Sequence, residues 1–209
     1  MKTLFRGRRK NIQYLTPDEY AKVKDVLMGS NSKLSFRNKA MGLLAIFTGL
    51  RGCDIAGLKL NAIDWDNDII CIKQQKTKVP LTLPLSAIVG NAIYDYIELE
   101  RPNTDCEYIF ISKKRQLGRI KRLGNVAASI MKAANIRQNK GDRKGTHIFR
   151  HHLSTRLLEN GIPRPVISSI TGQTSPKSLD TYLSTDFVHL KECAISIDNF
   201  PVAREVFSR

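Results

Sequence analysis

The side chains of this sequence that could do chemistry are arginines, a lysine, histidines and a tyrosine; its carboxylates are not clustered as a two-metal nuclease would need. Arg51 stands in Thr48-Gly49-Leu50-Arg51-Gly52-Cys53-Asp54, directly after an apolar run and at the opening of a new turn. A helix start presents free N–H groups, and an arginine there adds a fork that fits phosphate. Asp54 is placed to hold that guanidinium, although an ordinary surface ion pair explains the same two residues. His147 and Arg150 lie three apart in Thr146-His147-Ile148-Phe149-Arg150-His151-His152, so on a helix they share a face. A basic helix start is the plainer account of them. A zinc account of His147 and His151 lacks the HExxH glutamate and any nearby cysteine pair. Tyr182 ends the segment Gly172-Gln173-Thr174-Ser175-Pro176-Lys177-Ser178-Leu179-Asp180-Thr181-Tyr182. A lone tyrosine more often packs its ring and wets its hydroxyl. Taken together, such groups suit cleavage of a phosphodiester without metal. That reaction needs a nucleophile, cations on the non-bridging oxygens, an acid for the leaving oxygen and a base for the attacking one.

The elements that must position these groups are legible in the pattern. Thr16-Pro17-Asp18-Glu19 is a helix start, with a Thr cap, Pro at the first position and Glu three after the cap, so a helix is predicted to about Leu27 with Gly29 ending it. Ala40, Leu43, Leu44 and Phe47 give a second helix from Ser35 to Thr48, broken by Gly49. A short helix follows from Cys53 to Leu58. Asp64 to Asp68 is turn chemistry. Ile69 to Ile72 and Val79 to Leu85 read as a hairpin with Lys76 and Lys78 near its tip, and Pro80 and Pro84 put the second strand at an edge. Helices are predicted over Ala87 to Glu100, Leu123 to Asn135 and His147 to Asn160, with a short strand at Tyr108 to Ile111. Shorter helical pieces fall around Val166 to Ile170 and Ser178 to Leu183, and a last one spans Phe187 to Ile197. The whole is mainly α with a small antiparallel sheet, an α+β chain. Strand–helix alternation and phosphate-binding glycine motifs are lacking, which excludes a doubly wound nucleotide fold.

The 209 residues carry 34 Lys and Arg against 19 Asp and Glu, a net charge of +15, which points to a polyanionic partner, nucleic acid first. Lys113, Lys114, Arg115, Arg119, Lys121 and Arg122 form the densest internal basic run; a solubilising surface is the alternative to DNA-backbone contacts. Residues 1–14, with Lys2, Arg6, Arg8, Arg9 and Lys10, read as a basic tail or linker, and residues 15–209 as one domain. No apolar run reaches membrane-spanning length. Cys53, Cys71, Cys106 and Cys193 are widely and irregularly spaced, as free thiols in a reducing, cytoplasmic setting would be.

As an ordered set these pieces resemble the tyrosine recombinases of the phage-integrase type. Thr48-Gly49-Leu50-Arg51 with Asp54 is similar to the family's first arginine motif. Lys76 in Gln75-Lys76-Thr77 is similar to its hairpin lysine. His147-x-x-Arg150 with His151 is similar to its His-x-x-Arg motif, and Tyr182 falls where the family keeps its nucleophile. The resemblance spans about Leu15 to Leu190. It implies the DNA breaking-rejoining catalytic fold. It also implies a site of Arg51, Lys76, His147, Arg150, Gln173 and Tyr182 supported by Asp54 and His151, with no metal and no cofactor. The partner would be double-stranded DNA, in a homotetramer assembled on it, near the nucleoid. A core-binding domain would lie outside this chain, and residues 186–209 would form a C-terminal helix or tail exchanged between protomers or packed on their own domain. Gln173 departs from the pattern, which has His or sometimes Trp there; an amide can donate to a phosphate oxygen but cannot shuttle a proton. A non-catalytic DNA-binding relative and a type IB topoisomerase-like enzyme are the competing readings.

Overall fold

The computed structural model describes residues 14–112, 118–120 and 123–173. In chain order the helices are α1 (Pro17–Met28), α2 (Phe36–Thr48), α3 (Gly52–Ala56), α4 (Ala87–Leu99), α5 (Gly124–Ala133), α6 (His147–Glu159) and α7 (Arg164–Thr171), with a 3-10 turn at Leu60–Ala62. Strands β1 (Ile63–Asp64), β2 (Ile69–Lys73) and β3 (Pro80–Pro84) form one antiparallel sheet in that order, and β4 (Ile111–Ser112) pairs with β5 (Gly118–Arg119). The α+β class read from the sequence stands.

Helix α2 is the axis of the domain. Ala40 to Ile46 are all buried on it, and it packs against α1, α4, α5 and α6. A nearly all-round apolar helix must be enclosed in this way. Gly42 makes the enclosure possible: a Cβ there would lie 2.5 Å from a Leu27 methyl and 2.8 Å from Ile130 Cδ1, so α1 and α5 close on bare backbone. Two boundaries are built as read. The Thr16 hydroxyl accepts from the Glu19 N–H at 3.2 Å while the Glu19 carboxylate accepts from the Thr16 N–H at 3.0 Å, a reciprocal cap. Ser35 caps α2 from the Asn38 N–H.

The strands differ in detail from the expectation. Asp64 reads as turn in the sequence, yet it pairs with Ile69 while Ile63 pairs with Ile70, so the sheet gains a third strand. Two residues are too few to show the alternation that marks a strand. A strand at Tyr108 to Ile111 is corrected too: Tyr108 makes only an isolated bridge to Lys59, and pairing begins at Ile111. The segments predicted as helix around Ser178 to Leu183 and over Phe187 to Ile197, and the tail 186–209, lie outside the described residues.

The chain is tied down where it joins the bundle. Arg137 forks onto both oxygens of Glu19, at 2.8 and 2.7 Å, and donates to the Tyr14 carbonyl at 2.7 Å. His152 of α6 meets the Leu15 carbonyl through Nδ1 at 3.2 Å, and its ring stacks on Tyr20 at 4.5 Å.

Candidate active site

Two helix ends closed by left-handed glycines create the site. At the end of α2 the Thr48 hydroxyl turns back to the Leu44 carbonyl and accepts from the Leu50 N–H at 3.2 Å. Gly49 follows at φ 62°, a conformation that favours glycine, and aims its own carbonyl into the domain. Arg51 then occupies the residue before α3, half-exposed. At the end of α7 Gly172 repeats the device at φ 61°, leaving the carbonyls of Thr171 and Gly172 free of helical partners.

Both arginines converge on these carbonyls. Arg150, 4% exposed, donates to Gly49 O at 2.8 Å through Nη1 and to Thr171 O at 2.7 Å through Nη2. Arg51 donates to Gly172 O at 3.3 Å through Nη2 and to the Gln74 side-chain oxygen at 2.7 Å through Nη1. A helix C-terminus carries negative partial charge, so it stabilises two adjacent guanidiniums. These acceptors are neutral oxygens, and they orient the two guanidiniums.

Asp54 does not hold Arg51, contrary to the sequence reading. Its Oδ1 accepts from the Gln75 backbone N–H at 2.8 Å, while Gln75 Nε2 donates to Cys53 O at 2.7 Å. The acid therefore fastens the β2–β3 hairpin to α3. Its buried Oδ2 has no hydrogen-bond partner among the described residues. Lys78 at φ 61° reverses the hairpin, and Lys76 is exposed at its tip.

His147 opens α6 beside this cluster. Burial first, then the charges of Arg150, Arg51 and Lys76, hold its imidazole below the usual histidine pKa. His151 lies one turn on, its ring centroid 6.3 Å from that of His147, and burial together with His147, Arg150 and Arg143 pushes its pKa down to about 4. Both shifts favour the neutral imidazole. Among the described residues no group of three or more His, Cys, Asp or Glu is placed to hold a metal.

Gln173 sits beside Gly172 at the end of α7, its N–H bonded to Ser168 O at 2.8 Å and its buried Oε1 without a partner among the described residues. Thus Arg51, Lys76, His147, Arg150 and Gln173, far apart in sequence, line one region. Tyr182 and Lys113, Lys114, Arg115, Lys121 and Arg122 lie outside the described residues. Arg119 is described, and it lies against α3 and Tyr108. Its Nη2 donates to Cys53 O at 3.2 Å and its guanidinium lies 5.6 Å from the Tyr108 ring centre. Sequence reasoning missed Gln74, Thr77 and the α7 carbonyls. Polar residues in a turn carry no pattern that singles them out.

The family model described as Phage integrase family matches residues 13–189. The chain belongs to the phage integrase family. Among relatives of this phage integrase chain, a Sinorhizobium fredii protein named as an integrase/recombinase is 27% identical over 189 residues, 90% of this chain and 97% of that protein. The tyrosine recombinase XerA of Pyrococcus furiosus is 26% identical over 85% of this chain but only 59% of its own length, and a second Sinorhizobium integrase/recombinase is covered over 40% of its length. Several curated relatives are thus much longer than the matching part. The fold agrees as well. A crystal structure of XerA recombinase superposes with a TM-score of 0.70 at 23% identity, covering 94% of this chain and 66% of that one. XerH recombinase in a post-cleavage complex with its difH substrate also gives 0.70, at 22% identity, covering 88% of this chain and 53% of that one.

Proposed function

We propose that this phage integrase family chain is the catalytic domain of a site-specific DNA recombinase that cuts and rejoins DNA through a 3′-phosphotyrosyl link. One observation carries the reading: Arg51 and Arg150 converge on the adjacent carbonyls that end α7, which brings two guanidiniums side by side as a phosphate needs. The Tyr182 hydroxyl attacks the scissile phosphorus, a phosphotyrosyl bond forms, and the bond to the 5′ oxygen breaks. Arg51 and Arg150 neutralise the non-bridging oxygens and Gln173 donates one N–H to them. Lys76 protonates the departing 5′ oxygen. His147, kept neutral by its surroundings, accepts the tyrosyl proton. The 5′ hydroxyl of a partner strand then attacks the link and releases Tyr182. The covalent link conserves the phosphodiester energy, so the cycle as written draws on no nucleotide hydrolysis. The substrate is double-stranded DNA, the working assembly a tetramer on that DNA, and the setting cytoplasmic, at the nucleoid.

The test is covalent trapping on nicked duplexes with a randomised site, in the presence of chelator. The wild-type chain yields protein-bound DNA and Tyr182→Phe binds DNA but yields none; adducts that persist in Tyr182→Phe would falsify the assignment. Gln173, with an amide where a proton-transferring residue is usual, favours one second reading, a DNA-binding relative that does not cut. Salt-sensitive binding with no adduct would support that reading. Plasmid relaxation without strand exchange would instead mark a type IB topoisomerase-like activity.

A further inference from the structure

Gln74, fully buried beside the proposed site, has no part in that mechanism, yet it touches the site on three sides. Its Oε1 accepts from Arg51 Nη1 at 2.7 Å and from the Thr77 hydroxyl at 2.6 Å, and its Nε2 donates to Thr171 O at 3.1 Å. The same Thr171 carbonyl takes Arg150 Nη2 at 2.7 Å. Chemistry fixes the amide's orientation. Only an oxygen can accept from a guanidinium, and only a nitrogen can donate to a carbonyl. A Cβ on Gly172 would collide with the Gln74 amide, so the end of α7 packs directly on it.

We propose that Gln74 is the positioning residue of Arg51: it fixes that guanidinium against the end of α7, and so at a set distance from Arg150. The proposal rests on the reading of Arg51 as a phosphate-binding group. The choice of glutamine follows from the charge. A glutamate would hold Arg51 as firmly, but it would cancel the cation and turn an anionic oxygen toward Thr171 O. An apolar side chain would leave Arg51 without its shorter anchor. Gln74 also opens the hairpin that carries Lys76, with its N–H bonded to Val79 O and its carbonyl to the Lys78 N–H, so one residue registers the lysine loop, Arg51 and α7 together.

The experiment compares wild type, Gln74→Met, Gln74→Glu and Arg51→Ala, using a nicked duplex recovered from the trapping selection. Gln74→Met should bind that duplex with near wild-type affinity yet form the adduct about 100-fold more slowly, the cost of a misplaced group at a reacting centre. Adding Gln74→Met to Arg51→Ala should slow the reaction no further than Arg51→Ala alone, because residues that act through one another are non-additive. Gln74→Glu keeps the side-chain volume and the Arg51 bond, and covers the case in which methionine unfolds the chain. It should keep the Arg51 guanidinium nitrogen resonances as ordered as in wild type while slowing adduct formation and weakening duplex binding. Wild-type rates in both Gln74 variants, or losses that multiply with Arg51→Ala, overturn the proposal. A wild-type chain that forms no adduct overturns the strand-cutting reading instead. Positioning is then decided by the resonances alone: the Arg51 guanidinium averages in Gln74→Met if Gln74 holds it, and identical spectra overturn the proposal.

Discussion

A histidine half-buried among cations records its surroundings in how stability follows pH. His151 has a pKa near 4 in the folded chain against 6.5 for the free side chain, first because of burial and then because of His147, Arg150 and Arg143. The unfolded chain therefore binds more protons than the folded one between those values. Stability is fully present above pH 6.5 and is lost as pH falls toward 4. His147 and His152 are shifted in the same direction, so they steepen the same slope. Melting curves between about pH 7 and 4.5 should show the midpoint falling steadily, and His151→Gln should flatten that fall without removing it. A midpoint equally pH-dependent in His151→Gln would contradict the assignment. Residues also show where sequence reading stops. The types and order of Arg51, Lys76, His147, Arg150 and Gln173 mark a candidate site, but the partner of Arg51 could not be read. Asp54 is nearby in sequence and oppositely charged, whereas Gln74 reaches the arginine only because the hairpin folds back over α3.

Helix ends, more than helix bodies, assemble this site. Gly49 sits at φ 62°, and a Cβ there would lie 2.8 Å from Leu153 Cδ2 and 3.9 Å from Arg150 Cγ. Gly49→Ala therefore meets left-handed strain and a neighbour on α6 that must move, and it should cost about 2 kcal/mol. For a chain of this size that lowers the melting temperature by roughly 4–8 °C. An unchanged melting temperature would show that the turn relaxes freely. The longer helices were legible because caps and apolar periodicity act locally: Thr16 with Glu19, Ser35 before α2, and Gly161 after α6. The two-residue strands were not, because two residues are too few to show the alternation that marks a strand, as with Ile63 and Asp64.

For the molecule as a whole, charge sets the terms of association. With +15 distributed over 209 residues, binding to any duplex should be driven largely by release of counterions from the phosphates. Affinity should drop by about 10³-fold or more between roughly 50 and 200 mM salt, measured by fluorescence anisotropy on a labelled duplex. A shallow dependence would mean that few of these cations meet phosphate. Net charge is readable from composition alone. Which cations are available is not: Arg119 is turned to Cys53 O and Tyr108, and Lys59 is paired with Glu107 at 2.9 Å.

The anchoring of Tyr14 and Leu15 has a mechanical meaning. A pull on the backbone at these residues does not stop at α1. It loads Arg137 through the Tyr14 carbonyl and α6 through the His152 contact with Leu15. His152 lies five residues beyond His147 on a continuous helix, about 7.5 Å along its axis. Tension at that point is therefore transmitted along a stiff rod to the helix that carries both His147 and Arg150. The same strut that braces the fold is a lever with its short arm in the site.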